Sequence, residues 1–222
     1  MCGRYTLTQE LETVEMAEAT EEKYVHAGPR YNIAPSQYCP IIPQHDTDRK
    51  IHFYRWGLLP HWARDVKMAY RMINARGETI HQKSSFRDSF QKRRCLVLAD
   101  GFYEWKKLDE GKQPMWITLT DHRQFYMAGI YSFWQHPEGE RLQTFSIITT
   151  SPNALMRPIH DRMPVILPEN LVDDWLDPTM ETELLLKILV AYDPSLMEAI
   201  PVSSRVGNVR NDDADLIQPL SA

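Results

Sequence analysis

The chain has 222 residues, of which 43% are hydrophobic and 25% charged; that suits a globular protein of one domain or two small ones, large enough to bury a core without staples. Its three cysteines (Cys2, Cys39, Cys95) lack the number and spacing of a disulfide framework or zinc site, no apolar run approaches the roughly 20 residues of a membrane span, and no basic-then-apolar leader opens the chain, so a cytoplasmic protein is expected. The net charge of −5 is uneven: residues 49–112 hold 15 Lys and Arg against 7 Asp and Glu, and residues 163–222 hold 3 against 11, so the middle is either a phosphate-binding surface or a basic face neutralising the acidic end.

In chain order, Gly3-Arg4-Tyr5-Thr6-Leu7-Thr8 alternates as a strand that pins the N-terminus to a sheet. Thr8 caps a helix expected over about 9–19, with Leu11, Val14 and Ala17 on one face. Arg30-Tyr31-Asn32-Ile33-Ala34-Pro35 is extended by its pre-proline position. Strands are expected at 38–43 and 50–56, the first at an edge or bulge because of Pro40 and Pro43. The stretch from Trp56 to Trp62 is irregular. Residues 73–79 read as a short strand running into a helix near 78–84. Strong β signals follow at 95–99, 102–106, 115–119, 125–133 and 144–150, with turns every 8–12 residues, the mark of antiparallel sheets or a barrel. A short helix is expected at 152–157 and a strand at 165–167. Pro168 opens a helix to about Leu176, and a leucine-rich helix spans 181–191. The tail from Val202 to Pro219 reads as extended. The fold class is α+β: a single domain over 1–222 with a strand-rich core and peripheral helices.

Four places invite a chemical reading. Loss of Met1, the usual fate of an initiator before a small residue, leaves Cys2 with an α-amine and a thiol on adjacent carbons. With unperturbed pKa values of about 8 and about 8.5, this aminothiol condenses with an aldehyde into a thiazolidine, or acts as a thiolate with its own amine as base. The alternative is an inert second residue. Glu104, among aromatics in Asp100-Gly101-Phe102-Tyr103-Glu104-Trp105, is either a carboxyl with a raised pKa suited to proton transfer or an exposed residue on an outer strand face. His160, in Pro158-Ile159-His160-Asp161-Arg162-Met163-Pro164, is either a general acid–base oriented by Asp161 or a neighbour, or a hydrogen-bonded turn histidine. Asn74-Ala75-Arg76 is the fourth. Arg4, Arg76 and Arg162 beside these segments suit phosphate. Trp62 and Trp105 either stack on bases, as in single-strand binders, or pack in the core.

The blocks Met1–Tyr5, Arg30–Pro35, Trp56–Pro60, Ile73–Arg76, Asp100–Lys106, Ile159–Pro164 and Val206–Val209 resemble, in order and over nearly the whole chain, those of the SRAP (SOS response-associated peptidase) family. The resemblance implies one α+β domain with a curved, barrel-like β core. It implies a protein that senses abasic sites in single-stranded DNA and crosslinks to them through Cys2. Asn74 matches the asparagine that holds the N-terminal residue and the sugar, Glu104 the acid beside the amine, and His160 the histidine of ring opening and Schiff-base chemistry. Arg4, Arg76, Thr149 and Arg162 fall where the family holds phosphates, and Pro35, Trp62 and Trp105 near the DNA path. The family implies a monomer without metal or cofactor, associated with the nucleoid when on DNA. Its "peptidase" is read as removal of Met1. One departure is Ala63 after Trp62, where some relatives carry a second tryptophan. Two other readings stand beside this one. Class II glutamine amidotransferases also begin Met-Cys-Gly, but 222 residues leave little room for their second domain. A non-covalent single-strand binder would need the arginines and aromatics and be indifferent to Cys2.

Overall fold

A computed structural model describes residues 2–9, 28–135, 139 and 141–220. Two sheets share one core. The first contains β1 (Tyr5–Leu7), β2 (Arg30–Ile33), β7 (Gly101–Lys107), β8 (Lys112–Leu119) and β13 (Met197–Pro201), ordered β13-β8-β7-β1-β2. β1 lies between two partners, with Tyr5 opposite both Phe102 and Ile33. The segment that begins at Cys2 is therefore an interior strand rather than a frayed end.

The second sheet closes on itself. β3 (Tyr38–Pro43), β4 (His52–Trp56), β6 (Arg94–Ala99), β9 (Phe125–Gln135) and β10 (Arg141–Thr150) pair in the cycle β10-β4-β3-β6-β9-β10. Four junctions are antiparallel; the fifth, β4 with β10, is parallel, Thr144 facing Arg55 and Phe145 facing Trp56. β5 (Asn74–Arg76) also runs parallel to β10. The expected antiparallel core is thus a mixed barrel, because the chain between β4 and β10 is long enough for crossover connections. β11 (Met163–Pro164) pairs antiparallel with the end of β10, and β12 (Ile166–Leu167) pairs with β9. Buried aromatics join the two sheets: Tyr5 meets Trp56 edge-on at 5.2 Å between centroids, and Trp56 stacks on Phe145 at 6.3 Å.

Three short helices, α1 (Arg87–Lys92), α2 (Val172–Leu176) and α3 (Thr182–Ile188), lie outside the barrel. Fully buried Arg94 ties the first two to β6, donating to the carbonyls of Phe90, Gln91, Trp175 and Asp177. These are carbonyls that helix ends leave without an intrahelical partner.

Several expectations change. β3 is interior, paired with β4 on one side and, from Ile41 onward, with β6 on the other. Pro40 has a neighbour on the β4 side alone, and Pro43 ends the strand, so neither missing N–H interrupts two ladders. Residues 152–157 form turns stapled by Asn153, whose Oδ1 and carbonyl accept from the Met156 and Arg157 amides. The tail carries 3₁₀ turns at Ser204–Gly207 and Ala214–Ile217. The helix near 78–84 is a 3₁₀ turn, Gly77–Thr79. The helix expected over 9–19 falls outside the described residues.

Candidate functional site

The family blocks converge where β1, β5, β7 and the 158–162 turn meet. Cys2 is completely buried. Asn74 Nδ2 donates to its carbonyl at 2.8 Å, and the Cys2 thiol points to the Arg4 carbonyl with sulfur 3.9 Å away. β5 can aim Asn74 this way because Asn74 sits opposite Ile147 of β10, so its backbone is held by the barrel. Asn74 Oδ1 is buried without a hydrogen-bond partner. Burial pushes the Cys2 thiol pKa far above its ordinary value, and the negative charge of Glu104 pushes it in the same direction.

Glu104 lies in β7 opposite Met115 and is 3% exposed. Burial raises its carboxyl above the ordinary range, with the His160 imidazole pulling the other way. His160 Nε2 stands 3.7 Å from Glu104 Oε2. The Arg162 backbone N–H donates to His160 Nδ1 at 3.0 Å. With Nδ1 accepting from that amide, the neutral ring carries its proton on Nε2, toward Glu104; a proton on Nδ1 faces Asp161 instead. Exposed Asp161 has Oδ1 3.0 Å from the same nitrogen. Cys2, Asn74, Glu104 and His160 thus surround one point: a buried thiol, an amide, a carboxyl of raised pKa and an oriented imidazole.

The DNA-facing candidates separate into two groups. Arg76 is exposed with no partner among the described residues. Arg4 is half-buried and uses Nη1 on the Asn32 side chain and the Val206 carbonyl, at 3.0 and 2.9 Å. Trp62 is 46% exposed, while Pro35 and Trp105 are half-buried. Thr149 and Arg162 lie beneath the surface, and the Arg162 guanidinium is forked on Glu78. Ala63 is buried beside Leu59, Ala69 and Trp134, and its carbonyl accepts from the Trp134 indole at 2.8 Å.

A family model described as SOS response associated peptidase (SRAP) matches residues 1–209. The chain belongs to the SRAP family. It is 44% identical to "Abasic site processing protein YoqW" of Bacillus subtilis (strain 168), over 98% of this chain and 99% of that one. It is 34% identical to "Abasic site processing protein HMCES" of Gallus gallus, over 86% of this chain and 66% of that one. A solved structure from Bacteroides thetaiotaomicron superposes with a TM-score of 0.89 at 28% identity, covering 99% of this chain and 100% of that one.

Two SRAP blocks without an evident role in the sequence gain one from the structure. Asn32 is buried, and its Nδ2 lies 2.8–3.2 Å from the carbonyls of Val206, Asn208 and Asn211 while its Oδ1 receives Arg4. The 206–211 segment and β2 together form the socket that orients Arg4. A buried Asn among apolar strand residues was the available signal, because such an amide needs several partners.

Proposed function

We propose that this protein captures abasic sites in single-stranded DNA by closing a thiazolidine between the sugar aldehyde and Cys2, once Met1 is gone. The names of its relatives support abasic-site processing. The observation that carries the covalent reading is the buried Cys2 held by Asn74 against the Glu104–His160 pair.

The steps balance as follows. His160 passes its Nε2 proton to the sugar ring oxygen while the anomeric hydroxyl gives its own proton back to the imidazole, so the ring opens to the aldehyde and His160 is regenerated. Glu104 takes a proton from the α-ammonium, leaving a neutral amine. The amine adds to the aldehyde carbon and water leaves, giving a Schiff base. The thiol then adds across the C=N bond, sulfur to carbon and proton to nitrogen, which closes the ring. That last step is intramolecular, a class in which effective molarities reach about 10⁵ M or more when well oriented. A thiol held far above its ordinary pKa suits addition with its proton. It does not suit a thiolate nucleophile, which needs a depressed pKa, and this weighs against the amidohydrolase reading.

Exposed Arg76 and partly free Arg4 suit phosphates on either side of the lesion, with Trp62, Trp105 and Pro35 along the strand. Such contacts bind without reading sequence, as a damage sensor requires. Thr149 and Arg162 support this grip from below. No described helix is long and apolar enough to cross a membrane, and the protein is proposed to act as a monomer.

Intact mass spectrometry with and without an abasic single-stranded oligonucleotide tests the proposal. Wild type should show loss of Met1 and an adduct one water lighter than the sum of its parts; Cys2→Ala should show neither heat-stable adduct nor ring. A heat-stable adduct with Cys2→Ala overturns it.

A further inference from the structure

Between β4 and β5 the chain leaves the barrel and packs on β9 and β10. Gly57 permits the close approach: its φ is +125°, and a Cβ there would stand 2.8 Å from the Ala69 carbonyl oxygen. Leu59, Ala63 and Ala69 are buried together with Trp134 and Leu142. The Leu59 amide donates to the Thr144 hydroxyl at 2.9 Å, and the Leu58 amide to the Met72 carbonyl at 3.1 Å. The segment ends in a 3₁₀ turn, Val66–Arg71, capped by Asp65, whose carboxylate accepts from the Lys67 amide at 2.8 Å. A segment anchored along its inner face holds its outer face in place as well.

That outer face shows two aromatic rings among cations. Tyr70 is 60% exposed, the most exposed large hydrophobic side chain among the described residues, and Trp62 is exposed too. The Arg55 guanidinium stands over one face of the Tyr70 ring, 6.0 Å from its centroid, and the opposite face is open to solvent. Residues 61–76 hold four Lys and Arg and one acid, Asp65, whose carboxylate is turned onto its own turn. Arg64, Lys67 and Arg71 are exposed. An apolar partner gains nothing from this charge, whereas a phosphate backbone does, and bases stack on rings of this kind. The place is also right. The Ile73 carbonyl accepts from the Trp56 indole at 2.9 Å and from the Ile147 amide at 3.1 Å, which fixes the entry to β5. Four residues of chain span at most about 14 Å, so Tyr70 lies within that reach of Asn74, the residue that holds Cys2. We propose that Tyr70 is a second stacking platform for single-stranded DNA. It takes an unpaired base in the flank of the abasic nucleotide, at a position distinct from the base on Trp62, with Arg64, Lys67 and Arg71 on the phosphates alongside. The proposal rests on the abasic-site reading above and deepens it, extending the grip from the lesion to its flank. Ala63, next to Trp62, is turned inward, so the second ring comes from the following turn.

Tyr70→Ala alters an exposed side chain and leaves the anchored face intact. Its affinity for single-stranded DNA with a central tetrahydrofuran residue, which has no aldehyde to release, should fall about 5- to 150-fold, the worth of one stacked base. Tyr70→Phe keeps the ring and should bind as wild type does. Tyr70→Leu keeps bulk without a π-face and should bind as Tyr70→Ala does. A second measurement locates the contact: aminopurine, a fluorescent base quenched by stacking, is placed at each flanking position in turn. Wild type should quench one position that Tyr70→Ala releases and Trp62→Ala does not. Wild-type affinity in Tyr70→Ala overturns the proposal, as does a quenching profile that this variant leaves unchanged. So does wild-type affinity in Tyr70→Leu, since the ring would then add bulk alone. Absence of any adduct with wild type would sink the abasic-site reading instead, and the same titrations on undamaged single-stranded DNA would still decide the role of Tyr70.

Discussion

Asn74→Ala is the sharpest test of how Cys2 is held. Asn74 Nδ2 makes the one hydrogen bond that the Cys2 carbonyl receives among the described residues, at 2.8 Å, and Cys2 has no exposed surface. Truncation leaves a desolvated acceptor unsatisfied, which costs about 1–3 kcal/mol. The backbone of β5 stays paired with β10, so the loss falls on Cys2 rather than on the barrel. If the held geometry is the one the transition state uses, the same energy appears as a rate loss of about 5- to 150-fold, since about 1.4 kcal/mol is a factor of ten. In a chain of this size the melting temperature should fall by about 2–4 °C per kcal/mol. Asn74→Asp should be at least as slow, because a carboxylate oxygen facing the carbonyl cannot donate. The assay is single-turnover adduct formation on an abasic single-stranded oligonucleotide, quenched and resolved on a denaturing gel, with Met1 removal verified by mass. A rate for Asn74→Ala equal to that of wild type, with Met1 fully removed, refutes the reasoning: Cys2 would then be placed by its neighbours in the core, with no contribution from the amide.

Glu104→Gln should separate stability from activity. Burial raises the Glu104 carboxyl, so the folded protein keeps a proton that the unfolded chain releases, and stability falls as pH rises above the ordinary carboxylate range. The variant removes that dependence and should gain on wild type in thermal melts as pH is raised, while adduct formation drops about 10²- to 10⁴-fold with loss of the base; parallel melting curves for the two proteins would contradict the buried-acid assignment. Trp62→Ala should weaken single-strand binding by about 1–3 kcal/mol, the worth of one stacked base, with no change in the adduct rate at saturation; anisotropy titrations report it, and unchanged affinity would remove Trp62 from the DNA path. Arg94→Met orphans carbonyls at the ends of α1 and α2. It should cost about 4 kcal/mol or more, read as a lower melting temperature with an unchanged adduct rate per folded molecule.

The strands were legible because alternation and β-branched or aromatic content are local properties: β6 through β10 follow the pattern closely. What was not legible depended on partners far along the chain. Pro40 suggests an edge, and only the staggered pairing of β3 with β4 and β6 shows how an interior strand accommodates it. β13 is short and ends in proline, so its pairing with β8 carries no local signal. The same limit applies to chemistry. Periodicity left Glu104 equally suited to an exposed face or a buried one, and His160 to a turn or a site. Their approach across the fold, at 3.7 Å, is a property of topology. The family blocks named these residues together; the distances show which of them meet.

The socket of Arg4 has a temporal consequence. Its hydrogen bond to the Val206 carbonyl spans 202 residues of sequence, and that from Asn74 to Cys2 spans 72. The barrel cannot close before β10 exists, and β13 completes the first sheet later still. At about 5–20 residues per second of synthesis, Cys2 leaves the ribosome many seconds before the strands that frame it. During that interval the amide, carboxyl and imidazole that surround Cys2 in the fold are not yet in place. Non-local pairings of this kind also form slowly. On the proposed function, the reactive residue comes first in the chain but meets its partners only after the later strands have docked.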